Sequence, residues 1–262
     1  MEDTCARAVA YGLPSVAFTE HLEGARWVIP HDRRTDFGDL AAMIDRHGVL
    51  APPVFDVSGY LAAVDRCRDR FIELRIFSGI EVGEPHRHVP QVDAILEGGG
   101  FDRILGSLHS IVIDGEERIV DEVFADASRS DEDIEALMLR YLGDLRVMVG
   151  QDDRFEVLAH VDYPVRRLIE RSPSFDLMTY RSPYMEVLEA LAASSRVLEY
   201  NTTIPMSGVI MEWWYEVGGR AVSVGSDAHE PGRVGRGFSK AESVLTSIGF
   251  RSSGDPNGFL IR

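Results

Sequence analysis

Six short apolar runs, each closed by polar side chains of the kind that bind metals, constrain this sequence more than any other feature. The runs are Ser15–Phe18, Arg75–Val82, Arg103–Leu105, Val157–Ala159, Val197–Tyr200 and Ala221–Val224. Aliphatic and β-branched residues dominate them, and longer stretches with helical periodicity lie between, as repeated βα units require. Helices are predicted at Glu2–Gly12, Gly59–Leu74, Ser130–Val149, Arg181–Ser194, Met206–Gly218 and Gly237–Ile248. Ser130, followed by Asp131, Glu132 and Asp133, reads as an N-cap with an acidic first turn.

The ends of the runs carry the chemistry. They read Thr19-Glu20-His21, Gly79-Ile80-Glu81, Gly106-Ser107-Leu108-His109, then His160, Glu199 with Asn201, and Ser226-Asp227-Ala228-His229. A parallel barrel gathers the C-terminal ends of its strands on one face, so these groups are expected at one mouth. Imidazoles mixed with carboxylates suit zinc, iron or manganese, unlike a cysteine-rich structural site. Asp227 and His229 stand at i and i+2, which on an extended strand end puts both side chains on one side. Two segments interrupt the rhythm. Leu22–Val57 is long and rich in Pro, Gly and charge, the character of a lid or binding loop. Ser110–Val123 alternates around Asp114-Gly115, a hairpin signal. No repeat or linker divides the chain, so one domain over residues 1–262 is expected.

Composition narrows the function. A net charge of −16 with no basic stripe argues against a nucleic-acid surface. A protein this acidic can still handle a small phosphate ester if bound cations supply the local positive field. No run approaches the ~20 apolar residues of a membrane span, and the acidic start does not resemble an export signal. Cys5 and Cys67, far apart in sequence, form no zinc-type pair, and a cytoplasmic protein with reduced thiols is expected.

Taken in order, Thr-Glu-His, Gly-Ile-Glu, Gly-Ser-Leu-His, Ala-His-Val-Asp and Ser-Asp-Ala-His resemble the successive motifs of the PHP (polymerase and histidinol phosphatase) family. Glu199–Thr203 resembles a segment of its histidinol-phosphatase branch. The resemblance implies a distorted seven-stranded α/β barrel of TIM-like type, holding up to three divalent metals (zinc, manganese or iron). His21, Glu81, His109, His160, Asp227 and His229 match its ligand positions, with Glu81 as the bridging carboxylate. Glu20 and Asp162, beside ligands, are expected to orient them, with Ser107 and Ser226 in support. The implied reaction is hydrolysis of a phosphate monoester, L-histidinol phosphate first, within histidine biosynthesis. Asp227, His229 and Arg166 are the catalytic candidates, and Arg166, Arg167 and Arg233 the substrate-binding ones. Arg suits the second task because its planar fork matches phosphate oxygens.

Two departures qualify the resemblance. The family opens with a strand ending in His-x-His, and this sequence has none before its first helix, so a barrel lacking its first strand is expected, through a start codon set too far downstream in preference to a shortened chain or a degenerate member of the family. The histidinol-phosphate branch carries an Arg after the Asn-Thr segment, where this chain reads Ile204-Pro205-Met206-Ser207. A PHP enzyme acting on a nucleotide or sugar phosphate, or a non-catalytic PHP-like protein, are the alternatives. An amidohydrolase-type site is disfavoured because it needs a carboxylated Lys at a strand end, and Lys240 is the only Lys here. His86 and His88 are expected in a solvated turn, and Trp213 and Trp214 in packing.

Overall fold

The computed structural model describes residues 1–31, 41–172, 175–203, 207–255 and 258–262. Six parallel strands follow the expected runs: β1 (Ser15–Leu22), β2 (Arg75–Gly83), β3 (Arg103–Ser107), β4 (Val157–Leu158), β5 (Val197–Asn201) and β6 (Ala221–Gly225). Two short strands, β7 (Arg251–Ser252) and β8 (Leu260–Ile261), complete an eight-stranded sheet of order β1-β2-β3-β4-β5-β6-β8-β7. Both run antiparallel to their neighbours, and the sequence reading did not anticipate them. Register is what positions the site. His21 pairs with Glu81, Glu81 with Leu105, Leu105 with Val157, Val157 with Val197, and Gly225 with Asn201. The polar strand ends therefore arrive at one level.

The helices are α1 (Glu2–Tyr11), α2 (Val57–Arg70), α3 (Val89–Gly98), α4 (Val120–Ala125), α5 (Asp131–Gln151), α6 (Val165–Arg171), α7 (Arg181–Ala193), α8 (Ser207–Glu216) and α9 (Phe238–Ile248). The Ser130 hydroxyl accepts the Asp133 N–H while the Asp133 carboxylate accepts the Ser130 N–H, a full capping box that fixes where α5 starts. The sequence reading did not anticipate α3, α4 and α6; the last two, of six and seven residues, have too few turns for a periodicity to register. No helix among the described residues is long and apolar enough to cross a membrane.

The larger core packs α5, α7 and α8 against β4–β6, with Tyr141, Tyr184, Trp213 and Trp214 buried in it. A smaller core holds Cys5 of α1 and Cys67 of α2 together as buried free thiols. The sheet order is linear and the outer edge of β1 pairs with no strand among the described residues, so the barrel stays open. The sheet nevertheless curls. Val16 and Phe18 of β1 and Val222 and Val224 of β6 line the same cavity of about 680 Å³, which runs to the mouth.

Tyr60 of α2 fastens the two strands that carry His21 and Glu81. Its hydroxyl lies 2.7 Å from the Phe18 carbonyl and 2.8 Å from that of Gly79, and it accepts the Gly79 N–H at 2.8 Å. Replacing it in Tyr60→Phe strips partners from buried backbone groups at the β1–β2 seam. The expected loss is about 1–2 kcal/mol, read as a fall in the thermal midpoint. An unchanged midpoint would show that the hydroxyl contributes nothing.

Candidate metal centre

The mouth is organised around Glu81, which is 5% exposed. Its Oε1 accepts the Ser107 hydroxyl at 2.5 Å and lies 2.8 Å from His160 Nε2 and 3.1 Å from His109 Nε2. Its Oε2 is 3.8 Å from His21 Nδ1. The Nε2 atoms of His109 and His160 stand 3.4 Å apart, as do those of His21 and His229. Three imidazoles from distant parts of the chain thus face one carboxylate, and a fourth, His229, meets the first of them, His21.

Such a cluster is short of positive charge. Burial would raise the Glu81 carboxyl, but hydrogen bonds from His109 and His160 outweigh it and hold the group well below its usual range. Burial would lower His109, yet Glu23 and Glu81 hold it well above its usual range. Glu81 thus stays ionised and His109 takes up a proton, both against burial, so protons stand where a cation would supply the same charge. Ligand atoms of Glu81, His109 and His160 all lie within 4.8 Å of one another, as do those of His21, Glu23 and His109. Nitrogen and oxygen donors at that spacing fit a divalent metal.

Asp227 and His229 reach the mouth by a different route from the one expected. Strand β6 ends at Gly225, and Asp227 adopts a left-handed backbone with φ of 45°, so Asp-Ala-His is a turn and not an extended end. Asp227 Oδ2 sits 3.4 Å from Asn201 Nδ2, and His229 Nδ1 lies 3.2 Å from the Asp227 carbonyl, which leaves Nε2 facing His21. Below them Glu199 Oε2 accepts the His160 N–H at 3.0 Å. Burial pushes the Glu199 carboxyl up to about 7, with His160 opposing and the Glu81 and Asp227 charges adding.

The Arg candidates stand further out. Arg166 and Arg167 grip the two oxygens of Asp121 at 2.7 and 2.6 Å, and the Arg166 guanidinium lies 4.2 Å from the centre of the Tyr163 ring. Tyr163 in turn packs against His109 and His160 at 5.6 and 5.0 Å, so one ring separates Arg166 from the imidazoles. Arg233 lies in an exposed turn beyond His229, 4.0 Å from Glu230. The Ile204–Met206 stretch, where the sequence departs from the histidinol-phosphate pattern, falls outside the described residues.

Several supporting residues differ from expectation. Glu20 is exposed along the cavity side of β1, and Asp162 is buried with Oδ2 lacking a hydrogen-bond partner. Besides Glu81, the carboxylate that touches the imidazoles is Glu23, at 2.7 Å from His109 Nδ1 and 3.2 Å from His21 Nδ1. No strand pattern marked it, although its i+2 spacing from His21 was a usable signal. His86 and His88 are half-buried and not in a solvated turn. His88 pairs with Glu117 at 3.1 Å, on the hairpin formed by Ser110–Ile113 and Glu116–Ile119 about Asp114-Gly115. Glu84, His88 and Glu117 also converge, but Arg87 at 3.3 Å already supplies Glu117 with a cation.

The PHP domain family model matches residues 1–203. This chain belongs to the PHP domain family. A histidinol-phosphatase of Lactococcus lactis is 23% identical over 267 residues, covering 97% of this chain and 87% of that one. The crystal structure of histidinol phosphate phosphatase from L. lactis, complexed with zinc, L-histidinol and phosphate, superposes with a TM-score of 0.72. It is 20% identical and covers 94% of this chain and 86% of that chain. The shared architecture is the curled, mainly parallel sheet of this PHP chain.

Asp121 offers a test of the Arg tether. Burial raises its carboxyl, but the Arg167 hydrogen bond and the Arg166 and Arg167 charges outweigh that and lower it. A carboxyl depressed in the folded state contributes stability above its unfolded pKa and loses it as pH falls through the folded value. Asp121→Asn is therefore expected to lower stability by about 1–2 kcal/mol at pH 7. Denaturant titrations should show that gap closing as the pH drops below about 4. A gap that widens in acid would contradict the pairing.

Proposed function

We propose that the chain is a metal-dependent phosphoric monoester hydrolase that cleaves L-histidinol phosphate to L-histidinol and phosphate. The observation that carries the reading is the convergence of imidazole Nε2 atoms on the buried Glu81 carboxylate. It is supported by the histidinol-phosphatase name of a near-full-length relative. His21, Glu81, His109, His160, Asp227 and His229 are assigned to hold up to three divalent ions, zinc, manganese or iron. Glu81 would be open to sharing between them, because its two oxygens face different imidazoles. When bound, such ions supply positive charge for the phosphate oxygens and acidify a water for attack on phosphorus.

The side chains supply the rest. Ser107 and the imidazoles fix the Glu81 carboxylate before substrate arrives, so no reorganisation is needed during reaction. Arg166, kept beside Tyr163 by Asp121, is assigned to steady the transferred phosphoryl group, and Arg167 and Arg233 to draw in the phosphate. His229 is the most exposed imidazole of the cluster, its side chain 67% exposed against 39% for His21, and opens to solvent protons. It is assigned to hand a proton from Nε2 to the leaving alkoxide, with Asp227 holding the opposite ring nitrogen. That step requires Nε2 to be free of metal, so His229 acts as ligand or as donor, not both at once. The buried, reduced Cys5 and Cys67 accord with a cytoplasmic reaction.

The cavity favours histidinol phosphate over a nucleotide or sugar phosphate. Glu20, Asp227 and Glu242 line it against Arg103 as the single Arg or Lys among the described lining, and this acidic balance suits a substrate whose non-phosphate end carries an amine cation. Phosphate release by the zinc- or manganese-loaded protein is expected to favour histidinol phosphate over a nucleotide or sugar phosphate by at least about tenfold in kcat/KM. Asp227→Ala is expected to lower kcat/KM by about 100-fold or more. Chelation should abolish turnover and added metal restore it. Turnover that survives Asp227→Ala or chelation would refute the assignment.

A further inference from the structure

Glu23 is a nearly buried carboxylate, 9% exposed at its side chain, standing two residues beyond His21. One of its oxygens, Oε1, meets Nδ1 of His109 at 2.7 Å and Nδ1 of His21 at 3.2 Å. The two rings come from different strand ends, and their centroids are 5.5 Å apart. An ionised carboxylate only accepts hydrogen bonds, so each Nδ1 that meets it must carry its proton. With Nδ1 protonated, Nε2 is the nitrogen that gives up its proton and offers a lone pair when a metal binds. For His109 that nitrogen faces Glu81 and His160, and for His21 it faces His229. Ligating histidines are commonly fixed in this way by a carboxylate on the second ring nitrogen. Here a single oxygen serves two of them.

The neighbouring chain is shaped to allow it. A Cβ at Gly83 would lie 2.0 Å from Glu23 Oε2, so glycine leaves the space this carboxylate fills. The next residue, Glu84, holds the backbone of the same histidine, its Oε1 accepting the main-chain N–H of His109 at 2.6 Å and of Ser110 at 2.7 Å. We propose that Glu23 is a positioning residue that holds the Nδ1 protons of His21 and His109 on one oxygen, and so aims both Nε2 lone pairs into the metal centre. Gly83 is the small residue this arrangement requires. The inference rests on the strand ends being a metal centre, and adds a residue outside the assigned ligand set.

Proton–nitrogen NMR of histidine-labelled protein, metal-free and zinc-loaded, reads the arrangement directly. The wild type is expected to give downfield Nδ1–H resonances for His21 and His109 in both forms. These should vanish in Glu23→Ala and Gly83→Ala and persist in Glu23→Gln, whose amide oxygen accepts in the same place. Zinc affinity by chelator competition should fall about 10–100-fold in Glu23→Ala and stay within a few-fold of wild type in Glu23→Gln. Wild-type rings that lack a proton on Nδ1 would overturn the inference even if every variant failed to fold. So would Glu23→Ala retaining wild-type zinc affinity, or Glu23→Gln falling as far as Glu23→Ala. Failure of the functional reading is separate: it would appear as wild-type protein that releases no phosphate from histidinol phosphate whatever the ring protons do.

Discussion

Burying the Glu81 carboxylate is the cost around which the rest of the mouth is arranged. An ionised group that is 5% exposed survives only where hydrogen bonds and positive charge replace water. Ser107 supplies one hydrogen bond, and His109 and His160 supply others along with charge. These partners sit on or just beyond the two strands following β2 in the sheet, so in-register parallel pairing is what makes the burial tolerable. A one-residue slip between β1 and β2 would turn His21 to the opposite face and leave Glu81 with one imidazole fewer.

Much of this was legible in the sequence because strand and helix signals were strong. The six parallel strands fall where apolar runs placed them, and the Ser130 cap fixed the start of α5 to the residue. The side chains expected at the strand ends are gathered at one mouth, since a parallel sheet leaves no other place for them. What escaped was set by tertiary contact. Glu23 lies past the end of a strand in a segment with no periodicity, and its place is fixed by imidazoles 2 and 86 residues away. His88 seemed bound for solvent until the Ser110–Ile119 hairpin brought Glu117 against it. The antiparallel strands β7 and β8 have two residues each, too few for any alternation to register.

The Asp-Ala-His turn marks a limit of pattern reasoning. Spacing of i and i+2 suggested an extended strand, in which both side chains share a face. The chain instead turns at Asp227 through a left-handed conformation that a residue with a Cβ adopts at some cost. Two different backbones deliver the same pair of side chains to the same place, and sequence spacing alone does not distinguish them.

The open edge of the sheet also divides the centre by persistence. Glu81 sits on a strand with neighbours on both sides, and His109 and His160 follow strands that are likewise flanked, whereas His21 sits on β1, which among the described residues pairs with β2 and no other strand. Backbone amides on such an edge open with less of the sheet disturbed, so β1 belongs to the lower-stability end of the opening hierarchy. An opening confined to that edge would part His21 from Glu81 and leave the register of the strands carrying Glu81, His109 and His160 intact. The centre therefore joins one ligand on a sheet edge to three on or beyond flanked strands.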